Sequence, residues 1–347
     1  MPVLTENELK KRLKSDEPDR LYLIYGEENY LKSHYVERIA KNAVKKEFEA
    51  FNLHKLEGKG LDLYTLSDII EAYPMMGGFN CVIVHDLPID ALSKDDTERL
   101  SEIISDLPET TILILWMDHI EVSAKKSARW RSFIKEAAKY GCVAEMKKRS
   151  RGELIKLVRS GAAKRGCAIL PDKADRLISI VGDDLTNLLN ELEKVCAFTG
   201  GGEIGNSDID AVAVKTVDAA VFDLAKAIAA GDASRAFGIL SDLFIQKTEP
   251  VMIMGALISS YVDMYRIKIC RQSGGRAEDV SSVFNYKNKE FRLRIAASQS
   301  APLSAGQLRD CLDELYSADR LLKGSGLDEK IILEKCVARL IAKRAVS

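Results

Sequence analysis

The feature that most limits the fold is a set of short apolar runs confined to the first 146 residues. "LYLIY" (Leu21–Tyr25), "FNLHKL" (Phe51–Leu56), "CVIVHD" (Cys81–Asp86), "TTILILWM" (Thr110–Met117) and "CVAEM" (Cys142–Met146) each have strand length. Helical spacings separate them. Leu31, Tyr35, Ile39 and Val44 mark one helix over Asn29–Lys46. Others are expected over Thr65–Tyr73, stopped by Pro74, and over Ser93–Leu107, with Ser93 as N-cap. A fourth covers Ala124–Tyr140, with Gly141 as C-cap. Apolar strands alternating with helices imply a parallel sheet covered on both faces. Ligands of such sheets sit beyond the carboxyl ends of the strands.

After Met146 no convincing strand appears. Three helices with stops at Gly166, Gly182 and Gly200 lead through the Gly-rich "GGGEIGNSDIDAV" into a short helix. Longer amphipathic helices follow over Val221–Ala230, Ala233–Lys247, Pro250–Gln272, Lys287–Gln299, Ser304–Leu322 and Asp328–Arg344, with turns at Gly274–Gly275 and Gly324–Gly326. The expected fold class is α/β plus all-α: an α/β domain at 1–146, a small helical domain at 147–211 and an all-helical domain at 212–347.

The 347 residues are 46% hydrophobic and 30% charged, the balance of a soluble protein. No apolar run approaches the ~20 residues that cross a bilayer, and the start "MPVLTENELKKRL" lacks an apolar signal core. A cytoplasmic location and no membrane partner are expected. The seven cysteines form no C-x-x-C pair and the four histidines are scattered. Buried thiols, no disulfide framework and no metal site are expected.

One stretch invites a nucleotide reading. In "YGEENYLKSHY", Gly26, Lys32 and Ser33 fit the phosphate-loop template G-x-x-x-x-G-K-[ST] at the right spacing. Leu31 replaces the second glycine, where the backbone should meet phosphate, and Glu27 and Glu28 add negative charge. The strand ends offer Asp86 after His85 and Asp118 before His119, neither of them the Asp-Glu pair of an ATPase. These defects favour a non-hydrolysing relic without cofactor or catalytic residue, and leave a weak nucleotide site as the alternative.

Charge is uneven although the net value is -1. Residues 121–165 hold 14 Lys/Arg against 4 Asp/Glu, so the remainder is acidic. Lys125, Lys126, Arg129, Arg131, Lys147, Lys148, Arg149 and Arg151 form a basic ribbon that suits either a solvated face or sequence-independent contact with a nucleic-acid backbone. Trp130, spaced with Phe133 and Ile134, is expected in the core. Glu191 and Glu193 are expected to be structural.

The stretches "YLIYGEENYLKS", "EAYPMMGGFNCVIVHD", "DDLTNLLNELEKVCAFTG" and "AVFDLAKAIAAGDASRAFGILSDLF" resemble the delta subunits of bacterial DNA polymerase III clamp loaders, from about Leu21 to Arg344. The resemblance implies an AAA+ module without ATPase activity, with a helical lid, followed by a helical collar that assembles with the gamma/tau and delta prime subunits. It implies a subunit that binds and opens the beta sliding clamp within a DNA polymerase holoenzyme, close to primer–template DNA. The family's clamp contact is an apolar pair, commonly Leu-Phe, at the end of the short helix before the third strand. Here Pro74, Met75 and Met76 hold that place, before Gly77–Gly78. Methionine adapts well to apolar pockets, and a turn between Pro and Gly-Gly favours exposure over core packing. The rival readings are a weakly active P-loop ATPase and a free-standing AAA+ DNA-binding adaptor.

Overall fold

The structure, a computed structural model, describes residues 3–15, 17–286 and 290–345. The chain forms two compact units, residues 1–149 and 150–347.

In the first unit, five strands form one parallel sheet: β1 (Leu21–Gly26), β2 (Leu53–Glu57), β3 (Asn80–His85), β4 (Thr111–Trp116) and β5 (Cys142–Met146), in the order β2-β3-β4-β1-β5. The helices are α1 (Glu6–Arg12), α2 (Asn29–Ala43), α3 (Glu49–Asn52), α4 (Leu63–Glu71), α5 (Lys94–Ser105) and α6 (Ala128–Tyr140). Strand residues alternate between faces. Leu21, Leu23, Val82, Val84, Leu113 and Leu115 pack with α4, α5 and α6. The intervening Tyr22, Ile24, Ile83 and Ile114 are also buried, and α2 packs against β1, β3, β4 and β5. Both faces are covered, which is why the strands read as continuous apolar runs.

Several elements depart from the sequence reading. Helix α1 has only Leu9 fully buried, so its periodicity is weak; the Glu8 carboxylate accepts from the Thr5 amide at 2.7 Å and supplies the start signal. Helix α6 begins at Ala128 because the Ser127 hydroxyl caps it, accepting from the Trp130 amide at 3.2 Å. Gly141 follows α6 in extended backbone, φ -168°. A Cβ there would lie 2.3 Å from the Leu21 carbonyl oxygen. Gly141 is the C-cap of α6, as expected, its amide donating to the Ala137 carbonyl at 2.9 Å, but close approach to β1 and not a left-handed turn is what requires glycine there.

The second unit contains α7 (Arg151–Ala163), β6 (Cys167–Ala168), α8 (Pro171–Val181), α9 (Leu185–Thr199), β7 (Gly202–Glu203) and α10 (Asn206–Val212). It continues through α11 (Val217–Ala230), α12 (Ala233–Ile245), α13 (Pro250–Gln272), α14 (Ala277–Val283), α15 (Glu290–Gln299), α16 (Ala305–Gly324) and α17 (Glu329–Ala345). The parallel pair β6–β7 is two residues long, below what periodicity can reveal. Helix α14 is a single short segment with one buried residue, Val280. Helix α16 runs through Gly324, where a turn was expected. The expected start of the fifteenth helix at Lys287 lies outside the described residues. Helix α13 is the axis of the later helices; its Leu257, Tyr261 and Met264 are fully buried, and α11, α15, α16 and α17 pack on it.

Candidate functional site

At the carboxyl edge of the sheet, the loop after β1 is shut. Helix α2 begins at Asn29, so only Glu27 and Glu28 separate strand from helix. Asn29, Tyr30 and Leu31, which would belong to an open phosphate cradle, are already helical. The Glu28 amide donates to the Met146 carbonyl at 3.0 Å, and the Lys32 amide to the Glu28 carbonyl at 3.1 Å. Gly26 has φ 127°, and a Cβ there would lie 2.3 Å from the Met146 carbonyl oxygen. Its glycine is required by the neighbouring strand β5.

Lys32 is 1% exposed. Its Nζ donates to the Asp118 carbonyl at 2.7 Å and pairs with Asp118 Oδ1 at 3.2 Å. The Ser33 hydroxyl donates back to the Asn29 and Tyr30 carbonyls at 3.2 and 3.1 Å. All three residues that fit the phosphate template thus have partners inside the fold. A cleft of about 470 Å³ lies beside β2 and β3, lined by Val36, Ala40, Ile83 and Trp116 among others; of the three template residues Ser33 lines it, and Gly26 and Lys32 do not.

The ends of β3 and β4 meet at the same edge. Asp86, at φ 53°, turns its carboxylate onto the segment after β4. Its Oδ1 accepts from the Asp118 and His119 amides at 2.7 and 3.1 Å, and its Oδ2 faces His119 Nδ1 at 2.9 Å. Burial pushes the Asp86 carboxyl up, but the amides of His119 and Asp118, the His119 ring and the Ile120 amide outweigh it and hold the group below its ordinary value. His85 Nδ1 lies 3.1 Å from Glu57 Oε2. The sequence reading weighed these residues only as poor replacements for an ATPase pair. Their convergence was legible in one signal: His-Asp closes one strand, and Asp-His follows the end of its parallel neighbour.

The amino edge carries the opposite character. Between α4 and β3, Tyr73, Met75 and Met76 are 89%, 51% and 80% exposed, beside a half-buried Pro74. Met76, Gly77 and Gly78 have successive positive φ values of 62°, 85° and 83°. Buried Asn52 fixes this turn from both sides: its Oδ1 accepts from the Met75 amide at 2.8 Å and its Nδ2 donates to the Met75 carbonyl at 3.0 Å. The backbone is held while two apolar side chains face solvent. Asn52 had no signal in the sequence, because its partner is 23 positions away.

The basic ribbon is largely engaged. Arg129 donates to the Asp90 and Leu92 carbonyls at 2.6 and 2.9 Å, and Arg131 to the Ala124 carbonyl at 2.9 Å. Lys126 pairs with Glu121 and Lys147 with Glu145. Arg149 pairs with Glu6 of α1 at 2.6 Å, and Arg151 with Asp175 of α8 at 2.6 Å. Lys125 and Lys148 are exposed. Trp130 is buried, edge-on to Phe133. Glu191 accepts from the Val214 amide at 3.1 Å and pairs with Lys194, which accounts for its burial. The seven thiols are free, and six are buried. Burial pushes Cys81 and Cys336 up to about 12. Among the described residues no helix is long and apolar enough to cross a membrane.

The family model described as the DNA polymerase III delta subunit matches residues 22–147, and the one for the C-terminal domain of that subunit matches residues 218–340. DNA polymerase III subunit delta of Bacillus subtilis is 25% identical over 343 residues, covering 96% of each chain. The probable DNA polymerase III subunit delta of Aquifex aeolicus is 20% identical over 317 residues, covering 87% of this chain and 88% of that protein. The solved Bacillus subtilis DNA clamp loader delta protein has the same fold, with a TM-score of 0.65 at 24% identity over 97% of this chain and 99% of that one. With both of its units matched in order by that family's two models, the chain belongs to the DNA polymerase III delta subunit family.

Proposed function

We propose that this chain binds and opens the sliding clamp for loading on primed DNA, and that it hydrolyses no ATP itself. The observation that carries the reading is the Met75–Met76 pair, exposed on a turn whose backbone Asn52 holds in place. Burying two such side chains in an apolar pocket contributes ~3–5 kcal/mol. A preset backbone reduces the ordering cost of binding. Opening follows if the pair grips an opened clamp interface better than the closed ring.

The shut loop supports the absence of hydrolysis. Bringing Lys32 to a phosphate would strand the half-buried Asp118 carboxylate, at a cost of about 3–5 kcal/mol. Residues 147–211 serve as the lid and 212–347 as the collar that joins the gamma/tau and delta prime subunits; exposed Ile245, Tyr316 and Ile331 support an assembling surface there. Contact with primer–template DNA rests on the basic ribbon, first on exposed Lys125 and Lys148 and then on Lys126 and Lys147, whose ion pairs are solvent-exposed and weak, with Arg129, Arg149 and Arg151 behind them. The working location is the cytoplasm.

Capture of purified clamp tests the reading. Met75→Asp with Met76→Asp should abolish capture while the folded chain keeps its circular dichroism and melting transition. Unchanged capture would overturn the site. Steady ATP turnover by the purified chain, lost in Lys32→Ala, would favour the ATPase reading instead.

A further inference from the structure

We propose that His85, Asp86, Asp118 and His119 bind a divalent transition-metal ion of the zinc class. Four donor atoms from the ends of β3 and β4 converge. His119 Nδ1 lies 2.9 Å from Asp86 Oδ2, and His85 Nε2 lies 3.6 Å from the same oxygen. Asp118 Oδ2 lies 3.9 Å from His85 Nε2 and 3.9 Å from His119 Nδ1. Neighbouring ligand atoms in a tetrahedral zinc site, with bonds of about 2.0–2.1 Å, stand ~3.3 Å apart. The spacings of Asp86 from the two imidazoles bracket that value, so His85, Asp86 and His119 form the tight part of the site, and Asp118, 3.9 Å from both imidazoles, must move inward to supply the fourth bond.

The surroundings aim these atoms inward. Glu57 holds His85 Nδ1, the carboxylate–histidine arrangement that orients metal-binding imidazoles. That leaves His85 Nε2 facing the cluster, where it is buried without a hydrogen-bond partner. The Asp118 and His119 amides hold Asp86 Oδ1 and Lys32 holds Asp118 Oδ1; Asp86 Oδ2, which shares the His119 amide at 3.0 Å, and Asp118 Oδ2 are the carboxylate atoms nearest the imidazoles. Lys32 pairs with Asp118 alone, while Asp86 lies against the imidazoles of His85 and His119 with no cation of its own in contact, a charge that a divalent cation neutralises. Two imidazoles with two carboxylates select zinc, cobalt or nickel over magnesium or calcium. His119 is 78% exposed, which gives the ion a way in. With four protein donors the site is structural in type: it ties the carboxyl ends of β3 and β4 together.

The test uses the full chain, stripped with chelator and then titrated with zinc chloride by calorimetry and with cobalt(II) by visible absorption. About one zinc should bind, and cobalt should give a tetrahedral spectrum without a thiolate charge-transfer band. His119→Ala should weaken zinc by at least ~100-fold and Glu57→Gln by ~10-fold. Both side chains are largely exposed, so the fold survives, as circular dichroism would verify. Excess magnesium should not displace zinc. Absence of zinc binding, or affinity unchanged in both variants, overturns the proposal and leaves the cluster as a hydrogen-bonded latch only. A thiolate band overturns it in favour of the cysteines, and displacement by magnesium overturns the metal class.

Discussion

The two edges of the same parallel sheet differ in what they do with their loops. At the carboxyl edge, charged and polar groups are paired with one another: Lys32 with Asp118, Asp86 with the amides after β4, Glu57 with His85. At the amino edge a buried amide side chain holds the backbone, and the apolar side chains are left outside. In doubly covered sheets the carboxyl edge is the usual ligand-binding side. Here the loop after β1 has turned inward on that side, and the exposed apolar turn of Met75 and Met76 lies at the other end of the strands. A binding loop is therefore recognised by which of its groups remain unsatisfied, not by its place in the topology.

The strongest way to break this contrast is at Gly26. If the glycine serves β5 and not phosphate, Gly26→Ala should destabilise the chain by about 3 kcal/mol or more, measured by urea unfolding with and without nucleotide. Equal loss in both conditions is expected; a loss that nucleotide rescues would reopen the loop as a working site. Lys32→Ala should cost about 3 kcal/mol by the same measurement, because a half-buried carboxylate loses its partner. At the other edge, the double aspartate variant of Met75 and Met76 should leave unfolding unchanged and weaken clamp affinity by at least about 100-fold in surface plasmon resonance. Asn52→Ala sharpens the comparison, since it loosens the turn without touching either methionine. It should lower stability by about 1–2 kcal/mol and clamp affinity by about 10-fold. The smallest effect belongs to Asp62, which caps α4 by accepting from the Tyr64 and Thr65 amides. Asp62→Ala should cost about 1 kcal/mol in thermal unfolding and leave clamp binding intact.

The sheet was legible because all five strands are short, apolar and separated by helical periods, and the structure places each within three residues of its sequence run. The cap at Ser93 was legible for a local reason: its hydroxyl accepts from the Asp96 amide three positions on. Elements too short for a period, such as α14 and the β6–β7 pair, were not. The phosphate-loop defects at Leu31, Glu27 and Glu28 could be read directly, but the reason Lys32 persists could not. Its partner Asp118 lies 86 positions away, and nothing local marks the pairing. The same holds for Asn52 and Met75. The basic ribbon was legible as charge but not as contacts. Sequence counts charge but not carbonyls, and Arg129 and Arg131 are held by backbone oxygens that no pattern displays.

The close packing of Gly26 against Met146 has a consequence for anyone scanning genomes by pattern. The first letter of the motif is required by architecture and its lysine is held by an internal counterion, so a partial hit to the pattern has structural reasons to exist that involve no nucleotide. Counting such hits alone therefore does not count nucleotide-burning machines. Asking whether an acid on the adjacent strand has already claimed the lysine would sort the living copies from the fossils.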